Sequence, residues 1–566
     1  LSRNRKLGDR LPATATAPEV RRAVQELQAT AFTRRRQHIS TLDAAFVRNA
    51  RLHPFRFMMA DGLTPKVSFF RALTASILLA RKLRLQWADQ EMVGILLPPS
   101  VGGALVNYAA SLLGRVPLNL NYTANNEVLA SCAKQCNVKT VVTSKSFLER
   151  LPKLEVPAER ILLEDLVGSA STADKLVAFL FALLPYRLLK IALDARRTSL
   201  EDLASVIFSS GSTGDPKGVM LTHYNIASNI NQVLQVFMLD GDDKILGILP
   251  FFHSFGFTVA LWLPAVNGSG VVFHPNPLDA RVISELVGRH RVTFLIATPT
   301  FLQAYIRRCS PEHFGSLQYV LAGAEKLPER VALAFEETFG IRPLEGYGCT
   351  ECSPVVAVNG PDFRAPGFRQ VAARRGTIGH PLPGVAVRIV DLDSGNAVAD
   401  GESGLLMVKG PNVMKGYLGR PEKTAEVLRD RWYMTGDVAK IDDDGFITIT
   451  DRLSRFSKIG GEMVPHVKIE DKLHELAGAT EQVFAVTSTP DEKKGERIAV
   501  LHTLSKARIH EVLEKLAQAD LPPLWKPKPN QFFHTETLPY LGTGKLDLRA
   551  LKTMATEKAQ AVGVPN

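Results

Sequence analysis

The most informative stretch of the chain is SVIFSSGSTGDPKGVMLTHYNI, residues 205–226. Its first part, Val206 to Phe208, has the β-branched and aromatic side chains of a strand and runs into a loop of glycines and hydroxyl side chains. Glycines let the backbone turn tightly and bring N–H groups close to a phosphate, and Lys217 adds a positive charge. The order of lysine and glycine differs from that of a Walker A loop. The stretch therefore predicts a strand followed by a phosphate-binding loop, whose candidate residues are Ser209, Ser210, Gly211, Ser212, Thr213, Gly214 and Lys217.

On both sides of this loop, from about residue 40 to 450, short aliphatic runs alternate with helical patterns. Examples of such runs are TVVTS (140–144) and VTFLIA (292–297). This alternation favours doubly wound α/β layers. Residues 376–411 show short strands joined by turns, and residues 455–550 show a compact α+β pattern. We therefore predict an α/β fold class, with a large N-terminal domain that includes a small β subdomain, and a small C-terminal α+β domain.

The charge of the chain restricts its partners. The net charge is +11, which favours acidic partners such as nucleotide phosphates, an acidic carrier protein or an anionic membrane, although a plain basic surface gives the same total. The sequence contains no zinc-finger spacing, no RNP-like aromatic motif and no long block of Lys and Arg. We therefore expect no nucleic-acid partner.

Two apolar stretches bear on membrane attachment. Residues 92–114 are uncharged and long enough to cross a bilayer, but Pro98, Pro99 and nearby glycines favour a strand, a turn and a helix instead. Residues 176–186 are uncharged, too short to span, and flanked by basic residues. Such a segment fits either a membrane interface or a surface helix packed on the core. We predict no transmembrane helix and a peripheral membrane contact near 176–197.

The ten residues SSGSTGDPKG (209–218) resemble the signature loop of the adenylate-forming superfamily, which includes acyl-CoA synthetases, acyl-carrier-protein synthetases, luciferases and peptide-synthetase adenylation domains. The resemblance extends over about residues 40–550, with further motifs in the same order. It implies ATP and Mg²⁺ as cofactors, activation of a carboxylic acid as an acyl-adenylate, and transfer of the acyl group to a thiol. It also implies that the small C-terminal domain is mobile.

The motifs of the large domain carry the family's nucleotide and substrate roles onto this chain. LAGAEKL (321–327) resembles the loop that lines the adenine site, EGYGCTE (345–351) matches YGxTE, and WYMTGD (432–437) matches WxxTGD. The resemblance implies nucleotide contacts from Gly323, Ala324, Glu325, Glu345, Gly346, Tyr347 (stacked on adenine), Thr350 (on a phosphate oxygen) and Asp437 (on the ribose hydroxyls). It implies Glu351 as the Mg²⁺ ligand, and it places His253, in LPFFHSFGF (249–257), beside the acyl carboxylate.

The C-terminal motifs imply a hinge and two mobile lysines. In DRLSRFSKIGGE (451–462), Arg452 would contact the ribose, Ser454 would be the hinge and Lys458 would serve the thiol step. In LPYLGTGKLDLRAL (538–551), Lys545 would be the adenylation lysine. The expected domains are 38–450 (large), 451–454 (hinge), 455–556 (lid) and 557–566 (tail). Residues 1–37 are expected to be a basic tail or the trailing end of an upstream acyltransferase domain.

Finer features resemble one subfamily. GCTECSPVVAVN (348–359), KIGGEMVPH (458–466) and TAFTRRRQHISTLDAAF (30–46) are similar to the synthetase part of the bacterial bifunctional 2-acylglycerophosphoethanolamine acyltransferase/acyl-ACP synthetases. This resemblance implies a fatty acid as substrate, acyl carrier protein as acceptor, and reacylation of a lysophospholipid through a linked acyltransferase domain. It implies a cytoplasmic location, peripheral at the inner membrane.

Two other functions stay open at this stage. A fatty acyl-CoA synthetase has the same adenylation motifs and differs only in using CoA as the acceptor. A catalytically inactive nucleotide-binding regulatory protein would have lost key residues, whereas Lys217, Glu351 and Lys545 are all present. The HxxxxD spacing of acyltransferases occurs at His38 and again at His274 inside the synthetase region, so we attribute it to chance.

Overall fold

The computed structural model describes residues 14–209, 216–392, 394–452, 455–459, 462–479, 481–491, 495–540 and 546–561. Within these ranges the chain forms mixed α/β layers in a large N-terminal part, followed by a small α+β part after residue 455. The predicted fold class is confirmed.

The first part of the chain builds a helical layer and a four-stranded parallel sheet. The strands in this part of the chain are β1 (Phe57–Ala60), β2 (Val67–Ser68), β3 (Met92–Ile95), β4 (Val116–Asn119), β5 (Thr140–Thr143) and β6 (Glu159–Leu162). Its helices are α1 (Ala17–Arg35), α2 (Leu42–Leu52), α3 (Phe69–Leu83), α4 (Val101–Leu112), α5 (Asn126–Gln135), α6 (Lys145–Glu149), α7 (Leu163–Gly168), α8 (Thr172–Leu183) and α9 (Tyr186–Ala192). The parallel sheet has the order β4-β3-β5-β6.

The middle of the chain carries the phosphate-loop hairpin and most of a nine-stranded sheet. Its strands are β7 (Leu203–Ser209), β8 (Lys217–Thr222), β9 (Lys244–Gly247), β10 (Gly270–Phe273), β11 (Phe294–Ala297), β12 (Tyr319–Ala322), β13 (Leu344–Gly348), β14 (Val355–Val358), β15 (Phe363–Ala365), β16 (Phe368–Gln370) and β17 (His380–Pro381). Its helices are α10 (His223–Phe237), a π-helix (Gly256–Trp262), α11 (Leu263–Asn267), α12 (Ala280–His290), α13 (Pro299–Arg308) and α14 (Glu329–Phe339).

The nine-stranded sheet has the order β17-β14-β13-β12-β11-β9-β10-β1-β2. The strands from β13 to β1 in this order run parallel, and antiparallel strands close both edges. Because the carboxyl ends of parallel strands meet at one edge of a sheet, the loops after β12 and β13 come together there. These loops contain the two motifs that the sequence assigned to adenine and Mg²⁺.

A β subdomain follows and extends beyond the predicted 376–411. Its elements are β18 (Ala386–Val390), β19 (Gly404–Lys409), β20 (Gly416–Tyr417), α15 (Pro421–Val427), β21 (Leu428–Arg429), β22 (Trp432–Ile441) and β23 (Ile447–Arg452). Most of these strands form one antiparallel sheet. Strand β20 instead pairs with β8 of the phosphate-loop hairpin. This pairing attaches the subdomain directly to the loop region.

The small domain packs a sheet between helices. It contains β24 (Phe456–Ile459), β25 (Glu462–Pro465), α16 (His466–Ala477), β26 (Phe484–Asp491), β27 (Gly495–His502), α17 (Lys506–Gln518), β28 (Phe532–His534) and α18 (Leu548–Ala561). Successive residues of β26 face opposite sides, so Val486 joins a core with α16 and α17 while Ala485 joins one with α18. The small domain therefore has two cores of its own.

Helix α1 packs on the β subdomain, although it lies inside the segment 1–37 that the sequence left as a tail or the end of another domain. The Phe32 side chain is buried against Gly384, where an added Cβ would come within 2.3 Å of the ring. Arg21 pairs with Asp400, and the Gln25 side chain donates to the Val387 carbonyl at 3.3 Å. Residues 17–35 therefore belong structurally to the large domain.

The two apolar stretches form separate elements. The first is β3 followed by α4, so the predicted strand, turn and helix are confirmed. The second lies in α8 and α9. Across the described residues, no helix combines the length and the apolar character that a membrane crossing requires.

Candidate active site

The phosphate loop connects two antiparallel strands. The predicted strand is β7, and it pairs with β8 in a register that sets Ser209 opposite Lys217. Lys217 therefore stands at the base of the loop. Ser210, Gly211, Ser212, Thr213 and Gly214, the remaining predicted phosphate-binding residues, lie outside the described residues.

Tyr417 links the loop lysine to the predicted Mg²⁺ ligand. Its hydroxyl donates to Glu351 Oε1 at 2.9 Å, and Lys217 Nζ lies 5.2 Å from the centroid of its ring. Burial and the negative charge of Glu351 raise the pKa of Tyr417, so the hydroxyl stays protonated and keeps donating. The carbonyl of Glu351 also accepts from the Met414 N–H at 2.7 Å, which ties Glu351 to the β subdomain.

The sequence did not single out Tyr417. It reaches the site because β20 pairs with β8, with Tyr417 opposite Val219. That pairing joins residues far apart in the chain and leaves no local periodic signal. Tyr417 lies in a short, turn-rich segment, where no motif or periodic pattern marks it as a site residue.

Glu351 is suited to hold Mg²⁺ together with substrate phosphates. Its side chain is almost fully buried, and its Oε1 accepts the hydrogen bond from Tyr417. The part of the chain that the structure describes holds no cluster of three His, Cys, Asp or Glu side chains that would cage a metal. A single carboxylate completed by phosphate oxygens and water is the arrangement that Mg²⁺ commonly takes. The residues present therefore fit the ion that the resemblance implies.

The segment predicted to bind the acyl carboxylate and the residue predicted to bind a phosphate meet at Thr350. This residue begins the short 3₁₀ helix Thr350–Cys352, and its Oγ1 lies 3.5 Å from Ser254 Oγ. The neighbouring His253 holds its segment in shape, since its Nδ1 accepts from the Phe255 N–H at 3.3 Å. The structure thus brings the segment of His253, predicted near the acyl carboxylate, beside the predicted phosphate contact.

The predicted adenine and ribose residues are in direct contact. The Tyr347 hydroxyl donates to the Asp437 carboxylate, which joins β13 to β22. Burial and the charge of Asp437 raise the pKa of Tyr347. The strand register sets Asp437 opposite Arg452. A nucleoside bound to Tyr347 and Asp437 would therefore find its base and ribose sites already adjacent.

The predicted adenine loop, residues 323–325, follows β12 directly. Ala324 adopts φ of 71°, the left-handed conformation, which turns the chain sharply. A Cβ on Gly323 would come within 3.2 Å of the Phe255 ring, so glycine permits the close approach of the acyl-side segment. Glu325 Oε2 accepts from Thr300 Oγ1 at 3.0 Å. The loop is therefore held on both sides.

Glu345 and Gly346 support this loop from β13. Glu345 Oε1 accepts from the Leu327 N–H at 3.1 Å, and burial raises the pKa of Glu345 to about 7. A Cβ on Gly346 would meet the Leu321 side chain at 3.2 Å. These contacts indicate that both residues shape the loop.

The predicted hinge and the two lysines predicted to serve the two reaction steps lie in or next to the small domain. Ser454 and Lys545 lie outside the described residues; of Lys458 the structure describes the backbone, in β24 opposite Met463. Tyr540 and Leu546, on either side of residues 541–545, pair with each other. Burial, together with the charge of Glu325 in the predicted adenine loop, raises the pKa of Tyr540 to about 12.

Polar contacts join the two domains near that loop. Lys326 Nζ lies 2.7 Å from Asp471 Oδ2, and Arg307 Nη2 lies 2.6 Å from Glu481 Oε1. Both pairs have exposed side chains.

Comparison with known proteins gives consistent matches. The family model described as AMP-binding enzyme matches residues 46–418. A long-chain-fatty-acid–CoA ligase of Bacillus subtilis is 34% identical over 363 residues, which are 63% of this chain and 62% of the relative. A feruloyl-CoA synthase of an Amycolatopsis species is 36% identical over 352 residues, 61% of this chain and 69% of the relative. The match thus spans less than two thirds of the Bacillus protein's length.

Among solved structures, the crystal structure of ATP-bound MatB from Rhodopseudomonas palustris is similar over most of the chain. It superposes with a TM-score of 0.76 at 25% identity, and the match covers 91% of this chain and 99% of that one. The structural similarity therefore includes the small domain, beyond the residues that the family model matches.

Proposed function

The chain belongs to the AMP-binding enzyme family, and we propose that it uses ATP and Mg²⁺ to activate a fatty acid as an acyl-adenylate and then passes the acyl group to CoA. The observation that carries this proposal is the connected site of the large domain. There the phosphate-loop lysine, Tyr417 and Glu351 form one group, and Tyr347 and Asp437 form another. Such a site suits a nucleoside triphosphate with its metal ion.

The first step joins two anions, so it needs neutralisation of charge. The carboxylate attacks the α-phosphorus of ATP, a new C–O–P bond forms, and pyrophosphate leaves. Lys217 is placed at the phosphate loop, and Lys545 is assigned to the reacting atoms by the family resemblance. Mg²⁺ held by Glu351 would supply further positive charge at the phosphates. Catalysis is then mainly positioning and electrostatic stabilisation, and no protein nucleophile takes part.

The second step uses a thiol as nucleophile. The thiol sulfur attacks the acyl carbonyl, and AMP leaves with the phosphate oxygen. By resemblance, the small domain turns so that Lys545 leaves the site and the β24 region with Lys458 approaches it. The weak polar contacts between the domains support such a movement.

CoA is favoured as the acceptor because both curated relatives reported above are CoA-dependent by name. The subfamily motifs predicted acyl carrier protein, a linked acyltransferase and lysophospholipid reacylation. These stay predictions, because the adenylation motifs are common to both kinds of synthetase. The identity of the thiol acceptor does not depend on the residues of the adenylation site.

One assay tests the activity and the acceptor together. The protein is incubated with Mg-ATP and labelled palmitate, with CoA in one reaction and holo-acyl carrier protein in the other. Label on CoA is the expected result. Label on the carrier protein alone would replace CoA by the carrier in this proposal. Absence of pyrophosphate release with fatty acids of every length would instead support the inactive nucleotide-binding alternative.

A further inference from the structure

An apolar surface lies exposed on α8, α9, the last residue of α2 and the turn after it. We call it the apolar face and define it by Leu52, Phe55, Phe179, Leu180, Leu183 and Ile191. The exposed fraction reaches 88% for Phe55 and 68% for Ile191. Large exposed apolar patches mark interaction sites, whereas single exposed apolar residues are ordinary.

Contacts between the elements bring α8 beside the end of α2 and the turn that follows it. The Phe70 ring packs edge-on against Phe179 with centroids 5.5 Å apart, and the Phe70 N–H donates to the Pro54 carbonyl at 3.1 Å. Arg51 Nε donates to the Ala182 carbonyl at 3.2 Å. These bonds hold Leu52, at the end of α2, and Phe55, in the turn, beside the end of α8.

A buried ion pair sets which side of α9 faces outward. Lys190 Nζ lies 3.2 Å from Asp43 Oδ2, and both side chains are buried. Ordinary surface helices direct lysine to water and apolar residues to the core. Here Lys190 points inward while Leu188 and Ile191 are exposed. The buried contact between Lys190 and Asp43 therefore keeps the apolar side chains of Leu188 and Ile191 on the outer side of α9.

The charges around the apolar face are mostly basic: the exposed Asp194 follows Ile191 by three residues, and the exposed Arg196 and Arg197 come after it. Arg48, Lys175 and Arg187 are exposed and lie one helical turn, four residues, from Leu52, Phe179 and Ile191. The exposed Arg71 follows Phe70, whose ring packs on Phe179. Residues 44–60 and 175–193 contain no Asp or Glu. Asp174, at the start of α8, is held by Lys82 at 3.0 Å and Arg81 at 3.7 Å. The rim thus favours an anionic partner.

We infer that the apolar face docks the protein on an anionic lipid bilayer, with its six apolar residues in the interface and the basic rim on the headgroups. Helix α8 has 12 residues, too few to span a bilayer but enough to lie in its surface. The inference adds a partner to the proposed function, since fatty acids partition into membranes, but binding to lipid is measured without catalysis.

The test is flotation of the full chain with vesicles of phosphatidylcholine alone or with phosphatidylglycerol added. We expect binding to the anionic vesicles, weakened by salt because the rim charges are exposed. The double variant Leu180→Glu/Leu183→Glu should bind at least about tenfold more weakly. The double variant Lys175→Gln/Arg187→Gln should lose about fivefold per charge, and only on anionic vesicles.

Leu278→Glu is the matched control, since Leu278 and Leu180 are both 51% exposed. Leu278 follows the carboxyl end of β10, whereas Phe55 precedes the amino end of the parallel neighbour β1, so they lie at opposite ends of the sheet. The control should float like the wild type. Equal binding by all variants, or no binding by the wild type, would overturn the inference. A dimer in solution that Leu180→Glu/Leu183→Glu dissociates would reassign the apolar face to a second copy of the chain.

Pyrophosphate release without vesicles separates this inference from the proposed function. The variants of the apolar face should keep wild-type release with a short soluble acid. An inactive protein that still floats would refute the proposed function and leave the docking intact.

Discussion

The large domain and the small domain hold their functional residues in different ways. In the large domain, hydrogen bonds hold the predicted residues in place: Tyr347 bonds to Asp437, and Glu351 accepts from Tyr417, which was not predicted. The small domain touches the large one near the adenine loop through exposed pairs such as Lys326 and Asp471. The large domain is held together by internal hydrogen bonds, whereas the small domain is attached to it through exposed side chains.

The energies of these contacts explain the difference. Breaking a buried ion pair such as Asp43–Lys190 by removing one partner costs about 3–5 kcal/mol, because a charge is left buried. An exposed pair such as Lys326–Asp471 contributes about 0–1 kcal/mol. The interior of the large domain therefore keeps its shape while the small domain can change its position at low cost. A two-step reaction that needs two different lysines benefits from that combination.

The largest expected effect separates the two lysines. Lys545→Ala should reduce adenylation by about 10²–10³, because a charge is lost where charge develops in the transition state. It should spare thioester formation from supplied acyl-adenylate, whereas Lys458→Ala should chiefly impair that second step. The measurements are pyrophosphate release and thioester formation. Equal loss of both steps in both variants would contradict the division of work between the domains.

The second effect concerns the stability of the small domain in acid. Burial lowers the pKa of His466 to about 3 and that of His502 to about 4. The unfolded chain takes up a proton below the ordinary value of 6.5, whereas the folded His466 does so only near 3. The stability of the small domain should therefore fall as the pH drops from 6.5 towards 3, by about 2 kcal/mol at pH 5 for His466.

Calorimetry at pH 7.5 and pH 5 tests this effect. The variant His466→Gln should lose less stability between these pH values than the wild type. The control is His510→Gln, since His510 is an exposed residue of the same domain, and it should follow the wild type. An identical pH dependence for both variants would exclude His466 as the cause.

The third effect tests the internal connection of the large domain. Tyr417→Phe removes the hydrogen bond to Glu351 and keeps the ring beside Lys217. Loss of a group that orients a metal ligand costs about 10–100-fold in metal affinity or activity. We expect the Mg²⁺ concentration for half-maximal pyrophosphate release to rise about tenfold. Tyr224→Phe, on α10, is the control; a change of similar size in both variants would show a general effect on folding.

The smallest effect is at the domain contact. Lys326→Gln removes the pair with Asp471, and we expect less than about 1 kcal/mol of change in unfolding free energy. The rate of the first step should change less than threefold. Lys190→Gln, which breaks the buried pair with Asp43, should cost several times more in the same denaturant titration. If the two variants cost the same, the contrast between internal and surface attachment is wrong.

Local patterns predicted much of the architecture. The strand at Val206 to Phe208, the α/β alternation and the strand–turn–helix at 92–114 were correct because each depends on neighbours in sequence. The segment of helix α1 was predicted as a basic tail or the end of an upstream acyltransferase domain, since Phe32 is its one buried residue and gives no periodic apolar stripe. The packing of Phe32 against Gly384 depends on a distant segment.

The site divided in the same way. Residues such as Tyr347, Glu351 and Asp437 could be proposed from sequence because they stand at fixed places in short motifs, and their roles stay predictions. Tyr417 could not, because its position depends on β20 pairing with β8. The sequence motifs also could not decide between CoA and acyl carrier protein as the acceptor, because the adenylation motifs bind ATP and carboxylate in both classes of synthetase.

The placement of Tyr417 between Lys217 and Glu351 has a thermodynamic consequence. A ligand that draws Lys217 away from the Tyr417 ring changes the surroundings of the Tyr417 hydroxyl, which is bonded to Glu351. A cation bound to Glu351 in turn changes the surroundings of Lys217 through the same tyrosine. Reciprocity requires that each ligand alter the affinity of the other by the same factor. Binding of the triphosphate and binding of the divalent cation should therefore be coupled, with a coupling free energy that the Tyr417 side chain helps to set.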